Sequence, residues 1–208
     1  MKRTDMTEKK KTLTIGDPAA YLSAAHPGSE IKKLRSACVG ESLVPAYIIS
    51  DTNGCVVNAA ACLLVFASGG RNDFDTYLEL CKRTAVSGFS RIRNGEIDYY
   101  TRLSKESLFL RQCFKAASSP YGAANSLFAK KKAVDEILTG RPVLLNIAFS
   151  KQYRDHTVTA FGFDEYSVGD PGRKRLFFRV RDGYSEEDRW LEYRGIIGVF
   201  ATCITHGV

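Results

Sequence analysis

Hydrophobic positions follow two different periods along the chain. Residues 55–68, CVVNAAACLLVFAS, are apolar almost throughout and rich in alanine, and Gly69-Gly70 ends them, which predicts a buried helix. Residues 73–86 carry Phe74, Tyr77, Leu78, Cys81 and Ala85 at helical spacing, with Gly88 closing the segment. Ser104 opens a third pattern over 105–117, with Leu108, Cys113 and Phe114 near one face. Ser126 opens a fourth over 127–138, with Phe128, Val134, Ile137 and Leu138, and Gly140 follows. Asp17-Pro18 reads as an N-cap followed by proline at the first helical position, so 18–25 is predicted as a short helix that His26-Pro27-Gly28 stops. Residues 30–48 have no decisive period. Beyond residue 140 the period shortens: PVLLNIAF (142–149), HTVTAFGF (156–163), RLFFRVRD (175–182) and GIIGVFATCIT (195–205) read as strands, with Asp170-Pro171-Gly172 a turn between the second and third. Helices followed by strands predict an α+β fold. A helical part over 13–140 would pack its central helix, beginning at Cys55, on an antiparallel sheet over 141–208. The two parts form a single domain, preceded by a flexible basic tail at 1–12.

Composition narrows the function classes. The 208 residues are 44% hydrophobic and 25% charged, ordinary values for a globular chain with one good core. No apolar run approaches the ~20 residues that span a bilayer, so no membrane span is expected. The basic start, MKRTDMTEKKKTLTIGD, is followed by no apolar stretch and does not read as a secretory signal. The expected compartment is the cytoplasm on the sequence as given, with secretion left open if the native start differs. The net charge of +7 is scattered, with short clusters at Lys9-Lys10-Lys11, Lys130-Lys131-Lys132 and Arg173-Lys174-Arg175 and no aromatic residues interleaved. These read as solvated faces, and nucleic acid is not an expected partner; steep salt dependence of binding would revive it. The six cysteines, Cys38, Cys55, Cys62, Cys81, Cys113 and Cys203, contain no CxxC pair, and there are only three histidines. Neither a disulfide framework, a metal site nor a cofactor is expected. The sequence is silent on oligomeric state.

Three residues carry candidate chemistry. Cys55 follows the turn Asp51-Thr52-Asn53-Gly54 and opens the apolar helix, a position that favours the thiolate through the helix dipole. His156 opens a strand with Val158, Ala160 and Gly162 on its face, and it is the best placed of the three histidines to act as a base. Asp182 ends the next strand on the face of Phe178 and Val180, where it could orient an imidazole and fix its tautomer. Taken singly, each has an ordinary structural explanation: a packed thiol, a strand-end histidine, a turn-capping aspartate. Taken together, strand ends about 5 Å apart bring the last two within hydrogen-bonding reach.

The segment Thr52-Asn53-Gly54-Cys55-Val56-Val57-Asn58-Ala59-Ala60 resembles the nucleophile segment of bacterial papain-like cysteine peptidases. Gly140-Arg141-Pro142-Val143-Leu144-Leu145 and His156-Thr157-Val158-Thr159-Ala160-Phe161-Gly162-Phe163-Asp164 are similar to their histidine-bearing region. Val180-Arg181-Asp182-Gly183-Tyr184 with Arg189-Trp190-Leu191 resembles the strand of their third residue and the turn after it. The likeness spans roughly 48–205 and is nearest to the streptopain-like and bacteriocin-leader-processing branches. It implies a papain-like fold and a hydrolase that cleaves peptide or amide bonds of a peptide or protein substrate through a thioester. In that reading Cys55 is the nucleophile, His156 the base and Asp182 its orienting partner, with Trp190 or Tyr184 shielding the polar pair. The family's usual oxyanion glutamine, six residues before the nucleophile, is Ile49 here, so the Cys55 N–H and the Asn53 side chain are the candidate donors. That departure keeps two alternatives open: a catalytically weak or inactive papain-like domain that serves as a binding module, or a thiol acyl or peptidyl transferase.

Overall fold

The computed structural model describes residues 15–49, 54–71, 73–99, 105–150, 154–193 and 197–206. Helix α1 (Pro18–Ala25) begins as the sequence predicts: the Asp17 side chain accepts from the N–H groups of Ala19 and Ala20, and proline occupies the first turn. Strand β1 (Ile31–Cys38) and a 3-10 turn (Glu41–Leu43) follow. Helices α2 (Cys55–Ala67) and α3 (Phe74–Val86) come next, then a short hairpin of β2 (Arg91–Arg93) and β3 (Glu96–Asp98). Helix α4 (Glu106–Ala116), β4 (Tyr121–Ser126) and α5 (Ala129–Leu138) lead into β5 (Val143–Ser150), β6 (Arg154–Val168), β7 (Arg173–Arg181), β8 (Arg189–Glu192) and β9 (Ile197–His206).

The architecture is mixed α+β: five α-helices, among the described residues, around a seven-stranded antiparallel sheet in the order β4-β9-β5-β6-β7-β8, with β1 also paired to β6. The long strand β6 is the axis. Its first half pairs with β5 (Ile147↔His156 to Val143↔Ala160), its second half with β1 (Cys38↔Gly162 to Ile31↔Val168), and β7 runs along its other edge. Alternation on the strands sends Leu144 and Ile204 to one face, against α2, α3 and α4. Val143, Leu145, Val158, Ala160, Ala201 and Cys203 go to the other, against α5. The sheet is therefore covered on both sides.

The division at residue 141 is not clean, because β1 and β4, from the first part of the chain, are strands of this sheet. Neither has an apolar period to reveal it. β1 is mostly exposed, and its lysine and arginine side chains pair with β6 instead: Lys33 to Asp164 and Arg35 to Glu165, each at 2.7 Å. The β2–β3 hairpin turns through Asn94-Gly95, both at positive φ, a two-residue turn chemistry that the sequence carries plainly. Two helical faces also differ from expectation. Cys113 and Phe114 are fully buried on the inner face of α4, joined there by Phe109 and Leu110, while Leu108 is 45% exposed. Phe128 stands before the first turn of α5 and is 79% exposed. The tail at 1–12 lies outside the described residues.

Candidate active site

Helix α2 has no polar face; ten of its thirteen residues are buried, so it lies flat against β6 and β5 and beside α3. Asn58, buried within it, donates from Nδ2 to the Gly54 carbonyl at 2.8 Å while its own N–H donates to the same oxygen at 3.0 Å. This double clasp fixes the first turn and with it Cys55, the first helical residue. Early N–H groups of a helix have no partner within the helix. Here those of Cys55 and Val56 face the Cys55 sulfur, joined by the N–H of Thr157 from β6. The thiol is partly exposed. Its pKa is nevertheless raised: burial pushes it up most, the Thr157 N–H opposes, and the Glu106 carboxyl adds to the rise. The helix start alone predicts a depressed pKa; dehydration outweighs it here.

His156 is buried at the start of β6. The β6–β7 register pairs Thr159 with Arg181, so the same register continued three residues past the end of β7 brings His156 beside Tyr184. There the two rings stack, with centroids 4.7 Å apart and planes 16° from parallel, and the Tyr184 hydroxyl lies 3.4 Å from His156 Nδ1. His156 Nε2 lies 2.7 Å from the main-chain carbonyl of Asp182. A carbonyl only accepts, so Nε2 carries the proton and Nδ1 is the basic nitrogen. The main-chain carbonyl of Asp182 supplies this contact. Its buried carboxylate accepts the Tyr184 N–H at 2.9 Å, which shapes the turn that delivers Tyr184 to the imidazole. Burial, then the nearby Cys55 and Asp182, push the Tyr184 hydroxyl pKa well up.

The turn is braced from outside. Ile49 N–H donates to the Gly183 carbonyl at 2.9 Å, and the Tyr47 hydroxyl donates to the Arg181 carbonyl at 3.1 Å. Arg179 and Arg181 both pair with Asp188, folding the 182–188 loop back on β7. Ile49, six residues before Cys55, packs against Val39, Val44, Tyr47, Cys62 and Phe161 and offers no side-chain donor. Asn53, the candidate oxyanion donor, lies outside the described residues. Of the two candidate shields, Tyr184 stacks on His156. Trp190 instead packs with Leu22, Tyr166, Val168 and Phe177.

The sequence reading missed Glu106. It is fully buried in the first turn of α4, its Oε1 3.0 Å from Thr157 Oγ1 and its Oε2 3.3 Å from Thr202 Oγ1. Burial raises its pKa to about 7 against the hydrogen bonds from Thr157, Asn146 and Thr202. An acid in a first helical turn looks like ordinary dipole complementarity. The available signal was the polar residues inside apolar strands, Asn146, Thr157 and Thr202, which need a shared partner. No three His, Cys, Asp or Glu side chains gather as a metal site among the described residues, and there no helix is long and apolar enough to cross a membrane. No family model matches the chain, and no curated protein matches it.

Proposed function

We propose that the chain is a papain-like cysteine hydrolase that cleaves peptide or amide bonds through a thioester on Cys55. One observation carries this reading: the Cys55 sulfur receives the Thr157 N–H, one residue from a His156 whose Nε2 is tied to the Asp182 carbonyl at 2.7 Å. The raised thiol pKa leaves the resting thiol protonated. His156 Nδ1 takes the thiol proton as Sγ attacks the acyl carbon, and the oxyanion meets the Cys55 N–H, with the Asn53 amide the proposed second donor. His156 then protonates the leaving amine. Water, deprotonated by the same nitrogen, releases the acid and restores the thiol.

A peptidyl acyloxymethyl ketone, which alkylates an activated cysteine, tests this directly. The expected result is one adduct on Cys55 under native conditions, absent in Cys55→Ala and strongly slowed in His156→Ala. Labelling of Cys38 with Cys55 inert refutes it. One observation favours the idle binding module as a second reading: the Tyr184 hydroxyl lies 3.4 Å from the nitrogen that must accept the thiol proton. If that contact silences the site, Tyr184→Phe gains the adduct that wild type lacks.

A further inference from the structure

The polar cluster behind Cys55 has too few hydroxyl protons for its acceptors. Thr157 Oγ1 stands 3.0 Å from Glu106 Oε1 and 2.8 Å from Asn146 Oδ1. Thr202 Oγ1 stands 3.3 Å from Glu106 Oε2 and 2.8 Å from Asn125 Oδ1, and it accepts from Asn146 Nδ2 at 3.4 Å. Each hydroxyl has one proton for two oxygens, and in both cases the amide oxygen is closer. With both protons on the amides, the two carboxyl oxygens of Glu106 face hydroxyl lone pairs and keep the Asn146 amide as their donor. A carboxylate is poorly served there, whereas a carboxylic acid places its own proton on one of the hydroxyls. The bonds then run in one direction: Glu106 to Thr157, Thr157 to Asn146, Asn146 to Thr202, Thr202 to Asn125.

We infer that Glu106 is a positioning residue for the Cys55–His156 site and works as a neutral acid, clamping Thr157 so that its N–H stays on the Cys55 sulfur and its neighbour His156 stays in place. This rests on the reading of Cys55 as the nucleophile. Thr157 is the mechanical link, because its hydroxyl belongs to the cluster and its N–H to the thiol. The groups that face Glu106 are Thr157 from β6, Asn146 from β5, Thr202 from β9 and Cys55 from α2. Of these only Cys55 titrates, and among the described residues no cation pairs with the carboxyl. Once ionised, Glu106 therefore loses the directed chain and sets a negative charge beside the forming thiolate, and both effects slow the thiol. The raised pKa, near 7, places that change near neutral pH.

The test follows the rate of Cys55 alkylation by iodoacetamide against pH, site-resolved by mass spectrometry, in wild type, Glu106→Gln and Thr157→Val. Gln donates as the neutral acid does but cannot ionise. It is expected to keep the neutral-pH rate within about threefold and to move the alkaline midpoint of Cys55 reactivity down by about half a pH unit or more. Thr157→Val preserves the strand's branched side chain and breaks the link, and a loss of about tenfold or more is expected at every pH. Melting curves of each variant confirm that it is folded. If Glu106→Gln loses reactivity as severely as Thr157→Val, the carboxylate rather than the acid is required and the inference is overturned. It is equally overturned if neither variant departs from wild type. If wild-type Cys55 is itself inert, the nucleophile reading fails first, and that outcome is visible in the wild-type trace alone.

Discussion

Replacing Gly183 with alanine should damage the turn that holds His156, and its size can be worked from geometry. Gly183 has φ +75°, a left-handed conformation that costs a side-chain-bearing residue about 1–2 kcal/mol. An added Cβ would stand 2.4 Å from Ile49 Cγ1, 2.5 Å from Ile49 Cδ1 and 2.8 Å from Tyr47 Cε2, closer than carbon atoms pack. Overpacking of this kind costs about 1–3 kcal/mol more. The sum, about 2–5 kcal/mol, is a large share of the ~5–15 kcal/mol that holds a domain of this size together. It should lower the melting temperature by roughly 10 °C, since each kcal/mol is worth ~2–4 °C at this length. Ile49→Ala in the same chain removes the nearest contacts but not the φ strain. The double variant should therefore melt above the temperature obtained by adding the two single effects, a coupling that calorimetry on four proteins measures. A Gly183→Ala protein melting within 2 °C of wild type would mean that the turn yields freely, and the argument that it clamps Asp182 and Tyr184 would fall with it.

Four further outcomes are expected. Native alkylation should reach only Cys38 and Cys55, the two thiols with exposed surface, while Cys62, Cys81, Cys113 and Cys203 react only after denaturation; mass mapping with and without guanidinium checks this. Tyr184→Phe keeps the ring on His156 and loses the hydroxyl at Nδ1. Its melting temperature should stay within about 3 °C of wild type, and the Cys55 alkylation rate should not fall. Glu136 is buried, which raises its pKa, but Arg141 and Lys132 at 2.6 Å outweigh burial and hold it below the usual value. Its stabilisation is present above the ordinary value of 4.5 and lost as pH falls through the folded one, so Glu136→Gln should flatten the acid limb of stability. Glu106 has the opposite sign, with a folded pKa near 7 against an ordinary 4.5. Its contribution is full below the unfolded value and is lost as pH rises to about 7, a loss of about 3 kcal/mol, and Glu106→Gln should remove it in denaturant titrations at pH 4.5 and 8.

What could be read from the sequence was whatever a single segment specifies by itself. Helix α2 is apolar on all sides and bounded by glycines, and α1 has its cap and proline in order, so both appear within one residue of their predicted ends. The strands from β5 to β7 and β9 carry apolar residues on faces that must be buried, and they were legible too. β1 and β4 were not, because their reasons lie elsewhere in the chain. β1 is held by ion pairs to Asp164 and Glu165, some 130 residues away, and β4 (YGAANS) has little apolar surface and, among the described residues, pairs with β9 at the sheet's edge. β8 is four residues long, and its pairing to β7 depends on a loop that Asp188 folds back.

The site divides along the same line. Cys55, His156 and Asp182 stand out in the sequence as candidates because each lies at or near an element boundary. The structure lays α2 against β6, β5 and α3, and the register of β6 with β7 fixes which residues meet at those strand ends. The sign of the thiol's perturbation was not legible. A helix start is a local property and favours the thiolate, while dehydration and the nearness of the Glu106 carboxyl depend on how separate elements close around the sulfur. The same holds for the contact that fixes the imidazole. A sequence displays side chains, so an aspartate is read for its carboxylate. The group that meets His156 Nε2 at 2.7 Å is a carbonyl that any residue at position 182 would carry. What Asp182 adds by its identity is the acceptor for the Tyr184 N–H, and so the turn that aims this carbonyl and lays Tyr184 on the imidazole. The side chain at 182 therefore acts on the histidine through the path of the main chain, and that path is specified jointly by Gly183, Ile49 and Tyr47.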